Sequence, residues 1–126
     1  MKRAIHLDEK LEGTSPFTAA VEANGFVFIS GQIATVPGTR TLVTDTIANE
    51  AEQVMKNLGA VLEAAGLTYD HLVKCTIYLT NLQFYTAVNE AYQKRFTGQP
   101  PARETIAVKE LPRGANVEIS GIAVRG

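Results

Sequence analysis

The sequence contains no tryptophan, one cysteine (Cys75), two histidines and two methionines in 126 residues. A single cysteine excludes an intramolecular disulfide and fits a reducing compartment. His6, His71 and Cys75 are too far apart in sequence to give a zinc-ligand spacing, and both histidines read as ordinary surface or strand-end residues. There is no Gly-x-x-x-x-Gly-Lys phosphate loop and no Gly-x-Gly-x-x-Gly fingerprint. No metal and no cofactor are therefore expected. No apolar stretch reaches the roughly 18 residues of a membrane span, and the start, Met1-Lys2-Arg3-Ala4-Ile5-His6, has too short an apolar run for a signal peptide. An excess of either charge is also missing: 12 Lys+Arg stand against 13 Asp+Glu, a formal net charge of -1. A dedicated nucleic-acid binder needs a basic field. The expectation is a cytoplasmic protein that engages neither nucleic acid nor membrane.

What is present is a globular composition, 45% hydrophobic and 20% charged, with enough chain to bury one core as a single domain over residues 1–126. A short strand and loop are predicted at the start, followed by a turn cluster at Thr14-Ser15-Pro16. Ala19–Glu22 and Phe26–Ser30 read as strands joined by Asn24-Gly25, a strong hairpin signal. Gly31-Gln32-Ile33 suggests a bulge or a close backbone approach. Ile47, Ala51, Val54, Met55, Leu58, Val61, Leu62 and Ala65 recur at the spacing of one helix face. Asp45 or Thr46 can cap that helix, and Gly66 stands where a helix-ending glycine belongs. Leu72–Thr80 alternates as a half-buried strand, with Val73, Cys75, Ile77 and Leu79 on one face. Asn81 can cap a second helix carrying Leu82, Tyr85, Val88, Tyr92 and Phe96 on one face, stopped by Gly98 and Pro100-Pro101. Strands are predicted at Ala102–Glu110 and Asn116–Arg125, separated by a Pro112-Arg113-Gly114 turn.

The order β-β-β-α-β-α-β-β points to an α+β two-layer sandwich, a mixed sheet of about six strands packed by two helices. The strands carry apolar residues on both faces: Phe26, Phe28, Ile106, Val108, Ile122 and Val124 oppose Val27, Ile29 and Val117. One sheet face would then be covered by helices and the other by a second copy of the chain.

Five segments occur in a fixed order: Ser30-Gly31-Gln32-Ile33, Glu63-Ala64-Ala65-Gly66-Leu67, Val88-Asn89-Glu90-Ala91-Tyr92, Pro101-Ala102-Arg103, and Val117-Glu118-Ile119 leading to Ile122-Ala123-Val124. Each is weak alone, but together they resemble the RidA/YjgF family over nearly the whole chain. The resemblance implies a chorismate-mutase-like fold, a homotrimer with clefts between subunits, and cofactor-free hydrolysis of reactive enamines and imines to a 2-oxo acid and ammonia.

It also implies roles for particular residues. Arg103 is the catalytic candidate, because an arginine fork binds a substrate carboxylate through two parallel hydrogen bonds. Ser30 and Gly31 would line the cleft, and Thr105 would sit beside Arg103 by strand alternation. Asn89 would bond to a loop or to the substrate. The chain departs from the resemblance at three positions. Typical members have cysteine at the position of Thr105 and a tyrosine at the position of Phe17, which keeps the aromatic wall without the hydroxyl. They also carry Glu-x-Glu where this chain reads Glu118-Ile119-Ser120, the second glutamate activating the attacking water. Ser120 lacks useful basicity, so Ser120 and Glu118 both stand as water-positioning candidates, with a structural or interface ion pair as the rival role for Glu118. Glu104 faces away from Arg103, and Cys75 reads as a small core residue.

Two functions remain open. One is hydrolytic deamination of a small carboxylate-bearing imine, with room for a larger or differently charged substrate. The other is a trimer that binds a 2-oxo acid without turnover, in a regulatory or protein-interaction role. A nuclease is least favoured, given the charge balance and the lack of a histidine pair.

Overall fold

Asn24 and Gly25 both adopt left-handed backbone, with φ of 52° and 81°. Two consecutive positive φ values suit the right-handed twist of a tight hairpin. In the computed structural model, which describes residues 1–7 and 17–126, this turn joins β2 (Ala20–Ala23) to β3 (Phe26–Gln32). The turn cluster expected at Thr14-Ser15-Pro16 lies outside the described residues. The short strand expected at the start is β1 (Arg3–Ile5), paired antiparallel to β2. The bulge expected at Gly31 is present: the pairing of β3 shifts register between Ile29 and Gln32.

Helix α1 spans Ile47–Ala64, and the Thr46 hydroxyl caps it by accepting from the Asn49 N–H at 3.1 Å. It ends at Gly66, whose φ of 76° allows Leu67 N–H to reach back to Leu62 O at 2.8 Å and Gly66 N–H to reach Glu63 O at 2.9 Å. This double closure satisfies carbonyls that a helix end would otherwise orphan. Strand β4 (Leu72–Leu79) follows, then α2 (Tyr85–Gln93), β5 (Ala102–Ala107) and β6 (Val117–Val124). The sheet order is β1-β2-β3-β6-β4-β5, with β4 and β5 parallel and β6 inserted antiparallel between β3 and β4.

The two helices cover one face of the sheet. Val54, Met55, Leu58, Val61 and Leu62 from α1 and Val88 and Tyr92 from α2 are buried with Val27, Ile29, Cys75, Ile77, Leu79, Val117 and Ile119 from the strands. Each such side chain contributes about 1.5–3 kcal/mol by leaving water. The opposite face carries no helix, and there Phe26, Phe28 and Ile106 are 43%, 46% and 40% exposed.

Three local expectations need correction. Val73 is exposed rather than on the Cys75 face, because the β4–β6 pairing slips between Leu72 and Lys74. Asn81 caps a short 3-10 turn, Leu82–Phe84, instead of the α-helix, which leaves Leu82 and Tyr85 exposed and α2 confined to Tyr85–Gln93. Strand β5 stops at Ala107 rather than Glu110, because β4, its one partner among the described residues, ends opposite it at Leu79.

Candidate functional site

Where β3 and β6 run together, the helix-free side of the molecule opens into a cavity of about 390 Å³, lined by Phe17, Ser30, Gly31, Thr35, Arg113 and Glu118 among others. The backbone builds it. The bulge in β3 brings Gly31 so close to β6 that a Cβ there would overlap the Glu118 carboxylate. Glycine is needed at this position for that approach. Ser30 Oγ donates to Thr18 O at 2.5 Å, holding the segment that carries Phe17 against β3. On the far side, Asn57 of α1 donates through Nδ2 to Ile33 O and Thr35 O, both at 2.8 Å, and fixes the loop that forms the wall. Phe17 itself is 66% exposed at the mouth.

Glu118 is the acidic group in this cavity. Partial burial raises its carboxyl above the ordinary carboxylate range. A carboxylate with a raised pKa, open to a cavity, has the properties of a general base. The residue before β6 is held by a group that sequence reading did not single out. Glu50 of α1, fully buried, accepts from Asn116 N–H at 2.7 Å, Asn116 Nδ2 at 2.9 Å and Val117 N–H at 3.2 Å.

Arg103, Asn89 and Thr105 form a second group, on the helix-covered side at the β5 edge. Arg103 Nη1 donates to Asn89 Oδ1 at 2.7 Å and Nη2 to the Tyr85 hydroxyl at 2.8 Å. Its guanidinium carbon lies 5.6 Å from the Tyr85 ring centre and 5.0 Å from that of Tyr92. Two acceptors and two rings fix the orientation of the fork. Thr105 lines the same crevice, with its Oγ1 enclosed and lacking a hydrogen-bond partner. Below Arg103, burial pushes the Cys75 thiol up, an effect partly offset by the Tyr92 hydroxyl and the Arg103 charge, so Cys75 is an unreactive core residue.

Ser120 belongs to neither group. It lies in a separate hollow with Phe28, Lys74, Thr76 and Ile122, opposite Thr76 in the sheet. Glu104 points the same way, toward Thr76 Oγ1 at 3.3 Å and Lys74 Nζ at 3.4 Å. Within the chain the candidates therefore divide in three: Phe17, Ser30, Gly31 and Glu118 share the cavity; Arg103, Asn89 and Thr105 share the edge crevice; Ser120 stands apart. Sequence reading took Arg113 only as part of a turn and Tyr85 only as a helix-face residue. Arg113 lines the cavity with Glu118 and the Tyr85 hydroxyl accepts from Arg103, and their one sequence signal is a charged or polar-tipped residue at a chain bend. Among the described residues no group of three metal-ligating side chains forms, and no helix is long and apolar enough to cross a membrane.

Comparison with known proteins places this geometry in a wider group. The Endoribonuclease L-PSP family matches residues 8–125. Protein DfrA of Myxococcus xanthus is 47% identical over 98% of this chain and 95% of its own length. The 2-iminobutanoate/2-iminopropanoate deaminase of Mus musculus is 37% identical over 100% of this chain and 93% of its own. A crystal structure from Thermotoga maritima superposes with a TM-score of 0.92 at 39% identity, covering 100% of this chain and 99% of that one. The ordered motifs, the six-stranded mixed sheet under two helices and these matches agree: the chain belongs to the Endoribonuclease L-PSP, or RidA/YjgF, family.

Proposed function

We propose that this protein hydrolyses small, carboxylate-bearing enamines and imines to the 2-oxo acid and ammonia, in clefts between the copies of a homotrimer. The observation that carries the reading is the Glu118 carboxyl, raised by burial and set against Gly31 in an open cavity. The named activity of the mouse relative supports it. Arg103 and Glu118 lie on opposite faces of the sheet, so the carboxylate anchor for one cavity comes from the β5 edge of a neighbouring copy. The exposed Phe26, Phe28 and Ile106 give that copy an apolar surface to cover.

In the reaction, the enamine first tautomerises to the imine. The Arg103 fork holds the substrate carboxylate, and Glu118 takes a proton from water as the water oxygen bonds to the imine carbon. Backbone groups at Ser30-Gly31 stabilise the charge that develops. Glu118 returns the proton to nitrogen, which gives the neutral carbinolamine. Glu118 then takes the hydroxyl proton and passes it to the amino group, so the carbonyl forms as the carbon–nitrogen bond breaks and ammonia leaves. Water is the only co-reactant, and no electrons are exchanged. Ser120, in its separate hollow, takes no part in this scheme.

The test generates 2-iminopropanoate with an amino-acid oxidase and traps it with semicarbazide. Wild type is expected to divert the imine from the trap, and Arg103→Ala and Glu118→Gln to lose about a hundredfold or more of that rate, with folding checked by circular dichroism. No diversion by wild type refutes the deaminase reading. Phe17 and Thr105, which lack the tyrosine hydroxyl and the thiol that the resemblance implies, favour the second reading, a 2-oxo acid binder. Calorimetric binding of pyruvate without turnover would establish that reading instead.

A further inference from the structure

The cavity contains a charge that the scheme above does not use. Arg113 lines it and is the one cation among its described lining residues. Its backbone is left-handed, with φ 59° and ψ 26°, in a turn between Pro112 and Gly114. That conformation is strained for a non-glycine residue, and glycine would avoid the strain. Strain retained at the wall of a cavity points to a use for the side chain. One use is visible: Arg113 Nη2 donates to the carbonyl of Arg40, which ties the guanidinium to the neighbouring loop. This contact engages one of five donors. Glu118 lines the same cavity, yet no ion pair joins it to Arg113. The cation is held in place, and among the described residues no carboxylate pairs with it.

The cavity is also larger than a three-carbon imino acid needs. Its volume of about 390 Å³ lies within the range of sites for considerably bigger ligands. A second anion on the substrate would meet the Arg113 donors that the Arg40 carbonyl leaves unengaged.

We infer that Arg113 selects 2-imino acids whose side chain ends in a second carboxylate, binding that distal group while Arg103 of a neighbouring copy holds the first. This rests on the hydrolytic reading for its anchor and its water, and adds the class of substrate. The chemistry at the imine carbon is unchanged, and the distal carboxylate makes or breaks no bond.

Two imines that differ only in the distal carboxylate make the test: 2-iminosuccinate from aspartate and 2-iminopropanoate from alanine, each produced by an amino-acid oxidase and trapped with semicarbazide. Wild type should show the higher kcat/KM on 2-iminosuccinate. Arg113→Gln should reduce the ratio of the two kcat/KM values about tenfold or more, chiefly through KM, and Arg113→Lys should restore part of it. Arg113→Gly removes the backbone strain as well, so it should lose the preference while melting no lower than wild type. An unchanged ratio in Arg113→Gln, or a wild-type preference for 2-iminopropanoate, overturns the inference and leaves the deaminase reading standing. If wild type hydrolyses neither imine, the deaminase reading fails, and calorimetry then decides this one. Oxaloacetate binding more tightly than pyruvate, with the difference lost in Arg113→Gln, sustains it; equal binding refutes it.

Discussion

Replacing Glu50 tests how the Glu118 end of β6 is held. Its carboxylate is fully buried and accepts three N–H groups, from the Asn116 backbone, the Asn116 side chain and the Val117 backbone, at 2.7, 2.9 and 3.2 Å. Glu50→Ala removes all three acceptors. The Val117 N–H is buried, and leaving it unsatisfied costs about 1–3 kcal/mol. The Asn116 groups are partly buried and recover some bonding from water, so they contribute about 1 kcal/mol each. Removing the charge also removes the cost of keeping it out of water, which works in the opposite direction. The position in the first turn of α1 lessens that cost, because the helix N-terminus favours an anion. The expected net loss is about 3–4 kcal/mol, which in a chain of this length lowers Tm by about 10–15 °C. Glu50→Gln keeps one acceptor oxygen but turns an NH2 group toward another N–H donor, so its loss should be about half as large. Urea denaturation followed by circular dichroism, at one fixed protein concentration, measures both variants. A loss below about 1 kcal/mol for Glu50→Ala would refute the reasoning, since desolvation of the carboxylate would then cancel its bonds.

Gly31→Ala places a methyl group where the Glu118 carboxylate now lies. That carboxylate is the end of a flexible side chain and can swing away, so imine hydrolysis should fall about tenfold or more while Tm changes little; a large fall in Tm with activity retained would contradict this. The raised Glu118 carboxyl also gives a pH signature. Its folded-state pKa lies above the unfolded value, so the stability it contributes is complete below about 4.5 and is lost as pH rises through the folded pKa. Wild type should therefore lose stability relative to Glu118→Gln over that interval, and hydrolysis by wild type should decline as pH falls through it. Parallel stability curves for the two proteins would count against the raised pKa.

The parts of the fold that depend on local pattern were legible in the sequence. The apolar stripe of α1, its cap at Asp45 or Thr46 (the structure selects Thr46), its Gly66 stop, and the Asn24-Gly25 hairpin all rest on interactions between residues a few positions apart. Strand alternation also separated Glu104 from Arg103 correctly, and the two do point to opposite faces. What could not be read depends on distant partners. Alternation puts Glu118 and Ser120 on one face but cannot say that the bulge at Gly31 carries β3 against Glu118, whereas Ser120 sits opposite Thr76. The Tyr85 hydroxyl on Arg103 is a contact between a helix start and an edge strand. Glu50 gave a faint signal, an acid at the i+3 position from Ile47 on an otherwise apolar face. Only its partners at Asn116 and Val117, far along the chain, give it a meaning.

The division of Arg103 from Glu118 has a consequence for how the chain can work. β5 and β6 are separated by β4, and the two side chains project from opposite faces of the sheet. No rotamer change brings a guanidinium through a hydrogen-bonded sheet, so if both groups act on one small ligand they belong to different copies. Each site then has one parent for its anchor and another for its base. Arg103→Ala and Glu118→Gln subunits should each be inactive alone. Unfolded together in equal amounts and refolded, they should regain activity, because an Arg103→Ala subunit still supplies Glu118 and a Glu118→Gln subunit still supplies Arg103. With random assembly into closed rings, about one quarter of the sites pair an intact anchor with an intact base. Recovery near that fraction of the wild-type rate is the expected result. A mixture as inactive as its two components, with assembly verified by ultracentrifugation, would show that anchor and base do not meet across a subunit boundary.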